Sequence, residues 1–235
     1  MTTHELILAS ASPRRRELLT ALGVTFRIVT SDVEEREGDH HSHQAPAMPA
    51  LPTAVPPADH PTLVAWRKAY DVAPLVGALP ILAADTTVVL DGCVFNKPRD
   101  AAHARAMLAE LSGRRHTVLT GLCLLLPPDA AGERQALLHI EATGVIFRPL
   151  SADEIAAYVA GGEPLDKAGS YGFQGEGSRL VAAIEGSYTN VVGLPLPPLV
   201  GLLQQAGITA VRSPDAALAD WLAPLQKQLP AGAAV

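Results

Sequence analysis

Apolar and polar positions along this chain fall into short blocks whose period changes, and each change marks an element. Residues 5–9 are apolar almost throughout and predict a short buried strand. Ser12-Pro13 then signals a helix start. Serine suits the N-cap, and proline suits the first helical position, where its fixed φ fits and its missing N–H has no partner to lose. Leu18, Leu19 and Leu22 give that helix an apolar stripe, and Gly23 closes it. A second strand is predicted over 25–29, and it leads into the acidic run Asp32-Val33-Glu34-Glu35.

Between Gly38 and Pro61 every period is lost. Histidines stand at 40, 41, 43 and 60 and prolines at 46, 49, 52, 56, 57 and 61, which predicts a long mobile loop. The histidine cluster within it is either an adventitious metal binder or a solvated loop, and the composition favours the loop. Order resumes with a helix over 63–73, then strands over 81–84 and 87–90 running into Asp91-Gly92, a dipeptide suited to a tight hairpin. Asp100 caps a helix through Leu111, which Ser112-Gly113 ends. Strongly apolar strands follow over 118–126 and 137–147. Ser151 and Glu154 form a capping box for a helix to Ala160. Residues 161–177 are rich in glycine and polar groups, after which a strand over 180–184 and a helix over 196–206 are expected. The tail after Ser213 is open between one amphipathic helix and a frayed end.

Composition narrows the class. Hydrophobic residues make up 48% of the 235, but aromatics only 4%, so the core is expected to be Leu, Val, Ile and Ala. A net charge of −6 argues against binding a nucleic-acid polymer, while leaving room for a local basic cleft that takes a small anion. No run of apolar residues is long enough to span a membrane and no signal pattern opens the chain. Cys93 and Cys123, the two cysteines, lie in apolar strand-like stretches and are expected to be buried thiols, which points to a reducing cytoplasm.

Candidate chemistry comes from a few misplaced charges. Arg14, Arg15 and Arg16 occupy the first turn of the Ser-Pro helix, where the helix dipole already carries about half a positive charge. Each cation there costs a few tenths of a kcal/mol at roughly surface exposure. Either the three form a solvated basic turn or a bound phosphate offsets the cost, and three in a row favours the phosphate. Asp85 ends the apolar run Ile81-Leu82-Ala83-Ala84. A carboxylate there either binds metal, pairs with a cation or moves a proton, or else closes an Asx-turn. Lys97 is equally explained by a phosphate contact and by an ordinary surface charge. Lys68 sits on a predicted helix, where an exposed lysine is the common case. Lys167 and Gln174 lie among glycines at 169, 172, 175 and 177, which permit close backbone approach to a ligand. A P-loop, a nucleophile elbow and a Cys/His zinc pattern are all absent from the sequence.

The order of these motifs is more specific than any one of them. Leu8-Ala9-Ser10-Ala11-Ser12-Pro13-Arg14-Arg15, the acidic run 32–35, Ala83-Ala84-Asp85-Thr86 and Lys97-Pro98 resemble successive motifs of the Maf family. Ser112-Gly113 with His116, the stretch from Gly162 to Gly175, Gly186-Ser187-Tyr188 and Val192-Gly193-Leu194-Pro195 are similar to its later ones. The resemblance covers 5–208 and implies an α/β fold similar to inosine triphosphate pyrophosphatases, a long twisted mixed sheet flanked by helices with two lobes around a cleft. It implies one such domain over 1–212, with a loop insertion at 38–61 and a tail over 213–235. The loop is longer than the family's usual connection, and Asn96 replaces a more familiar glycine or glutamate.

The implied reaction is hydrolysis of a nucleoside triphosphate to the monophosphate and pyrophosphate with a divalent cation, Mg2+ or Mn2+. Carried onto this chain, Asp85 is the expected general base, and Glu35 and Asp85 the metal carboxylates. Ser10, Arg14, Arg15, Lys68, Thr86, Lys97 and Gln174 are the expected substrate contacts. Arg14, Thr86 and Gln174 match the positions that sort the subfamilies, in a combination similar to the branch acting on dTTP and UTP. Alternatives are a branch acting on 7-methyl-GTP or other non-standard nucleotides, and a non-catalytic nucleotide-sensing regulator of cell division. A homodimer is left open.

Overall fold

The computed structural model describes residues 5–31 and 44–226. The acidic run with Glu35, and His40, His41 and His43, lie outside the described residues. In chain order the elements are β1 (Leu6–Leu8), α1 (Pro13–Ala21), β2 (Phe26–Ile28), α2 (Pro61–Val76), β3 (Ile81–Leu90), β4 (Cys93–Phe95), α3 (Ala101–Leu111), β5 (Arg115–Leu125), β6 (Ala136–Phe147), α4 (Ala152–Ala160), β7 (Val181–Glu185), α5 (Tyr188–Val192), α6 (Leu196–Gln205) and α7 (Pro214–Gln226). One seven-stranded sheet runs β2-β1-β3-β5-β6-β7, with β4 paired to β3. β1 is parallel to β2 and β3, and the other pairings are antiparallel, so the sheet is mixed as expected.

Three long strands carry the architecture, and their alternation decides what each face buries. On one face, Leu82 and Ala84 of β3 and Leu122 and Leu124 of β5 pack with Leu18 and Leu19 of α1, Leu199 and Leu203 of α6, and Ala217 and Trp221 of α7. Further along the same two strands, Val88, Leu90 and Val118 pack with Met107 and Leu108 of α3 and Ile155 and Val159 of α4. On the opposite face Ile81, Ala83, Cys123 and Leu125 pack against Ala65, Trp66, Ala69 and Val72 of α2. The first two clusters are the lobes. Between them, where the alternation would place two more apolar residues, stand the cross-strand partners Thr86 and Thr120, whose hydroxyls lie 3.0 Å apart.

Several local expectations change in the folded chain. The strands predicted over 81–84 and 87–90 are one strand, β3, because β5 pairs with it continuously from Ile81 to Val89. Cys123 is buried as expected, and burial pushes its thiol pKa up. Cys93 is exposed instead; it starts a three-residue hairpin strand that, among the described residues, pairs with β3 alone. The tail left open beyond Ser213 forms α7 and buries Ala217 and Trp221. The described part of the Pro/His-rich stretch is mostly coil. It is tied down by His60, whose ring nitrogens bond Thr62 N–H at 3.2 Å and Pro49 O at 3.0 Å.

Candidate active site

The cleft begins where one edge of β3 runs out of partners. β1 pairs with β3 only at Ile81 and Leu82, and β4 only from Val88 onward, so among the described residues the edge between them has no strand neighbour. Asp85 and Thr86 sit on that bare stretch. A cavity of about 690 Å³ opens over it, lined by the turn after β1, the start of α1, Lys68 of α2, Lys97 and the glycine-rich stretch. Ser10, Arg14, Arg15, Lys68, Asp85, Thr86, Lys97 and Gln174, scattered over 165 positions of sequence (10 to 174), all line this one cavity. Glu35 lies outside the described residues.

Lys68 is not the exposed lysine expected of a helix surface. It is 6% exposed, and its Nζ donates to Asp85 Oδ1 at 2.7 Å. The helix reaches the strand because Gly121, the partner of Asp85 across the sheet, has no side chain. A Cβ there would lie 2.5 Å from Thr62 Cα and closer still to Thr62 N and Pro61 C, so the first turn of α2 rests on bare backbone. From that seat α2 points Lys68 down onto Asp85. Asp85 is therefore paired with a cation, one of the readings its position allowed.

Arg15 is held just as firmly. Its Nε donates to Gly193 O at 2.9 Å, Nη1 to Ser10 Oγ at 3.1 Å and Nη2 to Thr86 Oγ1 at 3.1 Å. Thr86 is backed in turn by Thr120, whose hydroxyl donates to Asn190 O at 3.0 Å. The guanidinium therefore bridges α1, β3 and the turn after α5. Ser12 stands at the N-cap of α1 as predicted, yet its side chain caps no N–H. An uncapped helix start beside arginines is a suitable anion seat. Arg14, Arg15, Lys68, Lys97 and Lys167 share the lining with Glu17, Asp85 and Asp166, so among the described residues cations outnumber carboxylates here despite a net charge of −6 for the chain.

The glycine-rich wall is organised by Glu163, which residue-by-residue reasoning did not single out. Its carboxylate accepts from Tyr158 OH at 3.1 Å, Glu176 N at 2.9 Å and Gly177 N at 3.4 Å. A Cβ on Gly175 would sit 2.7 Å from Glu163 Cδ, so the chain packs closely on this carboxylate. Lys167, the other polar candidate in this wall, donates to Glu163 O at 2.7 Å and Asp166 Oδ1 at 2.5 Å. Phe173, also unremarked in the sequence, lines the cleft next to Gln174. Behind this wall His116 is buried, its Nε2 2.8 Å from Tyr171 OH, and burial first, then the charge of Arg115, lowers its pKa to about 4.

Residues 5–206 match the family model described as Maf-like protein. The chain belongs to the Maf family. It is 47% identical over 204 residues to the dTTP/UTP pyrophosphatase of Moorella thermoacetica, covering 87% of this chain and 96% of that one. It is 43% identical over 203 residues to the dTTP/UTP pyrophosphatase of Pelotomaculum thermopropionicum, covering 86% of this chain and 97% of that one. The solved structure of the Staphylococcus aureus Ham1 protein overlaps in part, at 12% identity and a TM-score of 0.35, over 60% of this chain and 71% of that one. Within the Maf chain, the matched region contains every candidate residue of the cleft, and α7 lies beyond it. No helix among the described residues is long and apolar enough to cross a membrane.

Proposed function

We propose that this cleft hydrolyses nucleoside triphosphates to the monophosphate and pyrophosphate, with dTTP and UTP as its substrates. The observation that carries the reading is the Lys68–Asp85 pair on the bare edge of β3, facing Arg14 and Arg15 across one cavity. Hydrolysis at the α phosphorus needs an oriented water, a base for its proton, and positive charge on the oxygens that gain negative charge. Asp85 is the base, and Lys68 holds its carboxylate in one orientation through Oδ1. Arg14, Arg15 and Lys97 carry the phosphates. Ser10 and Thr86 keep Arg15 turned toward them.

A divalent cation, Mg2+ or Mn2+, fits this donor set. Among the described residues no three His, Cys, Asp or Glu side chains gather into a cage. Magnesium is usually held by one or two carboxylates and the phosphates of its substrate, so a cage is not required. Asp85, with Glu35, would hold it, and when bound it supplies charge neutralisation on the phosphates and a more acidic water. Gln174 both donates and accepts, which suits the edge of a pyrimidine, where an unpaired group is penalised heavily. Two free thiols suit a reducing cytoplasm.

The test is a panel of dTTP, UTP, 7-methyl-GTP and the standard purine triphosphates with Mg2+ or Mn2+. Turnover of dTTP and UTP, reduced about 10²–10⁴-fold in Asp85→Asn, is expected. Gln174→Ala is expected to flatten the preference among bases. Turnover of 7-methyl-GTP alone would keep the mechanism and overturn the substrate assignment. Tight nucleotide binding with no turnover would favour a sensor.

A further inference from the structure

Aromatic residues are only 4% of this chain, yet three of them form a row that ends in the cleft. Phe173 lines the cavity and is half-buried. Its ring stands edge-to-face on Tyr188, with centroids 5.0 Å apart and planes at 68°. Tyr188 stands in the same manner on Trp221, at 6.1 Å and 69°. Both separations fall in the range where aromatic pairs attract beyond simple burial. Trp221 belongs to α7, after the residues the family model matches, and is 8% exposed. Its indole N–H donates to Glu17 Oε2 at 3.2 Å, and Glu17 itself lines the cleft. A second cavity of about 470 Å³ lies between α1 and α7, and Glu17 and Gln174 line both cavities. The row therefore sits at the Gln174 end of the cleft, next to α7.

Resting on the reading of the cleft as a nucleotide site, we propose that Phe173 is the face on which the nucleobase stacks. Trp221 is a positioning residue that braces it through Tyr188. The phosphates need cations, and the cleft supplies them along α1, α2 and around Lys97. A base needs an apolar face beside a polar edge, and Phe173 followed by Gln174 places both on one wall. A half-buried phenyl ring is a poor platform unless its neighbours hold it still. Here Tyr188 packs edge-to-face with it, and the indole of α7 packs edge-to-face with Tyr188, so the ring is held in place. The hydrogen bond to Glu17 fixes α7 against α1, so the helix added after the matched region becomes part of the substrate wall.

Calorimetry with thymidine monophosphate and, separately, pyrophosphate tests this on the full chain without requiring turnover. Phe173→Ala is expected to weaken the monophosphate about tenfold and to move pyrophosphate by less than about twofold, since the stack touches only the base. Trp221→Ala is expected to weaken the monophosphate by a smaller factor, with the same selectivity. Adding it to Phe173→Ala should cause no further loss, because the brace acts only through the ring it supports. Trp221→Leu, which keeps apolar volume without an aromatic edge, takes its place if the alanine variant does not fold. The proposal is overturned if the wild-type protein does not bind the monophosphate, if Phe173→Ala weakens both ligands equally or neither, or if the two losses multiply in the double variant. The expected pattern in a protein that hydrolyses no triphosphate would retain the stacking wall and remove the hydrolase reading.

Discussion

Gly121→Ala is a small change that strains the Lys68–Asp85 pair without touching either residue. Gly121 has no positive φ, so its backbone admits alanine, and the fewer conformations of the unfolded alanine chain would by themselves stabilise the protein by about 0.4–1 kcal/mol. The contact opposes this. The new Cβ would lie 2.5 Å from Thr62 Cα, and ordinary contact begins at 3.4 Å, so α2 must lift by about an ångström. The opposing atoms are backbone and cannot rotate away. Overpacking usually costs about 1–3 kcal/mol, and a backbone clash belongs at the upper end. Contact outweighs entropy, and a net loss near 2 kcal/mol should lower Tm by about 4–8 °C in a chain of this size. A lift of that size also breaks the 2.7 Å bond from Lys68 to Asp85, and misplacement of about 1 Å in a site can cost roughly 100-fold in rate. Thermal unfolding and kcat/KM for dTTP measure the two effects. Gly201→Ala in α6 is the control. It has nothing within 4 Å and no positive φ, so the same substitution should stabilise slightly. A Gly121→Ala protein with wild-type Tm and wild-type activity would refute the account of how α2 is seated.

Other consequences concern the buried polar groups. His116 remains neutral in the folded protein down to about pH 4, whereas an unfolded histidine takes up its proton near pH 6.5. Its contribution is therefore complete above pH 6.5 and is lost as pH falls toward 4, on the order of 3 kcal/mol across that window. The slope of Tm against pH over that interval should be shallower in His116→Gln, and an unchanged slope would assign the acid sensitivity elsewhere. Asn190 is fully buried, and its Nδ2 donates to Val118 O at 3.0 Å and Thr143 Oγ1 at 2.9 Å. Asn190→Ala removes both bonds and should cost about 2 kcal/mol in urea unfolding, while Asn190→Asp, which offers acceptors to the Val118 carbonyl, should cost more. An alanine variant as stable as wild type would remove Asn190 as the tie between α5 and the sheet.

Most elements were legible because local signals and tertiary demands agree in them. The Ser151–Glu154 capping box forms both of its bonds, and Asp100 accepts from His103 N as a cap should. Elements without room for a period were harder to read. α5 has five residues, too few to develop an apolar stripe, and it is defined by Ser187 capping Asn190 N and by Asn190 reaching into the sheet. Cys93 begins a three-residue strand, and so short an apolar run does not say which face is covered. α7 was undecidable because Pro224 interrupts it and its order comes from packing against α1, which no local signal reports.

The site divides along the same line. The motifs point to Ser10, Arg14, Arg15, Asp85, Thr86, Lys97 and Gln174, and the fold brings them to one cavity. What those motifs do to one another depends on sheet register. Asp85 was evenly poised between a turn residue and a charged site until β1 stopped at Leu82 and Gly121 admitted α2. Lys68 is buried where α2 lies on the sheet, with its Nζ on Asp85 of β3. Glu163 and Phe173 escaped notice because their roles, gathering the glycine wall and lining the Gln174 end, exist only once distant segments meet.

In the proposed reaction Asp85 directs water to the α phosphorus of a pyrimidine triphosphate held in this cleft. Hydrolysis of dTTP in ¹⁸O-water, followed by mass analysis of both products, tests it directly. One heavy oxygen in thymidine monophosphate, none in pyrophosphate, and the loss of labelled product in Asp85→Asn are expected. Label in pyrophosphate, or full labelling of the monophosphate by the Asp85→Asn protein, would contradict it.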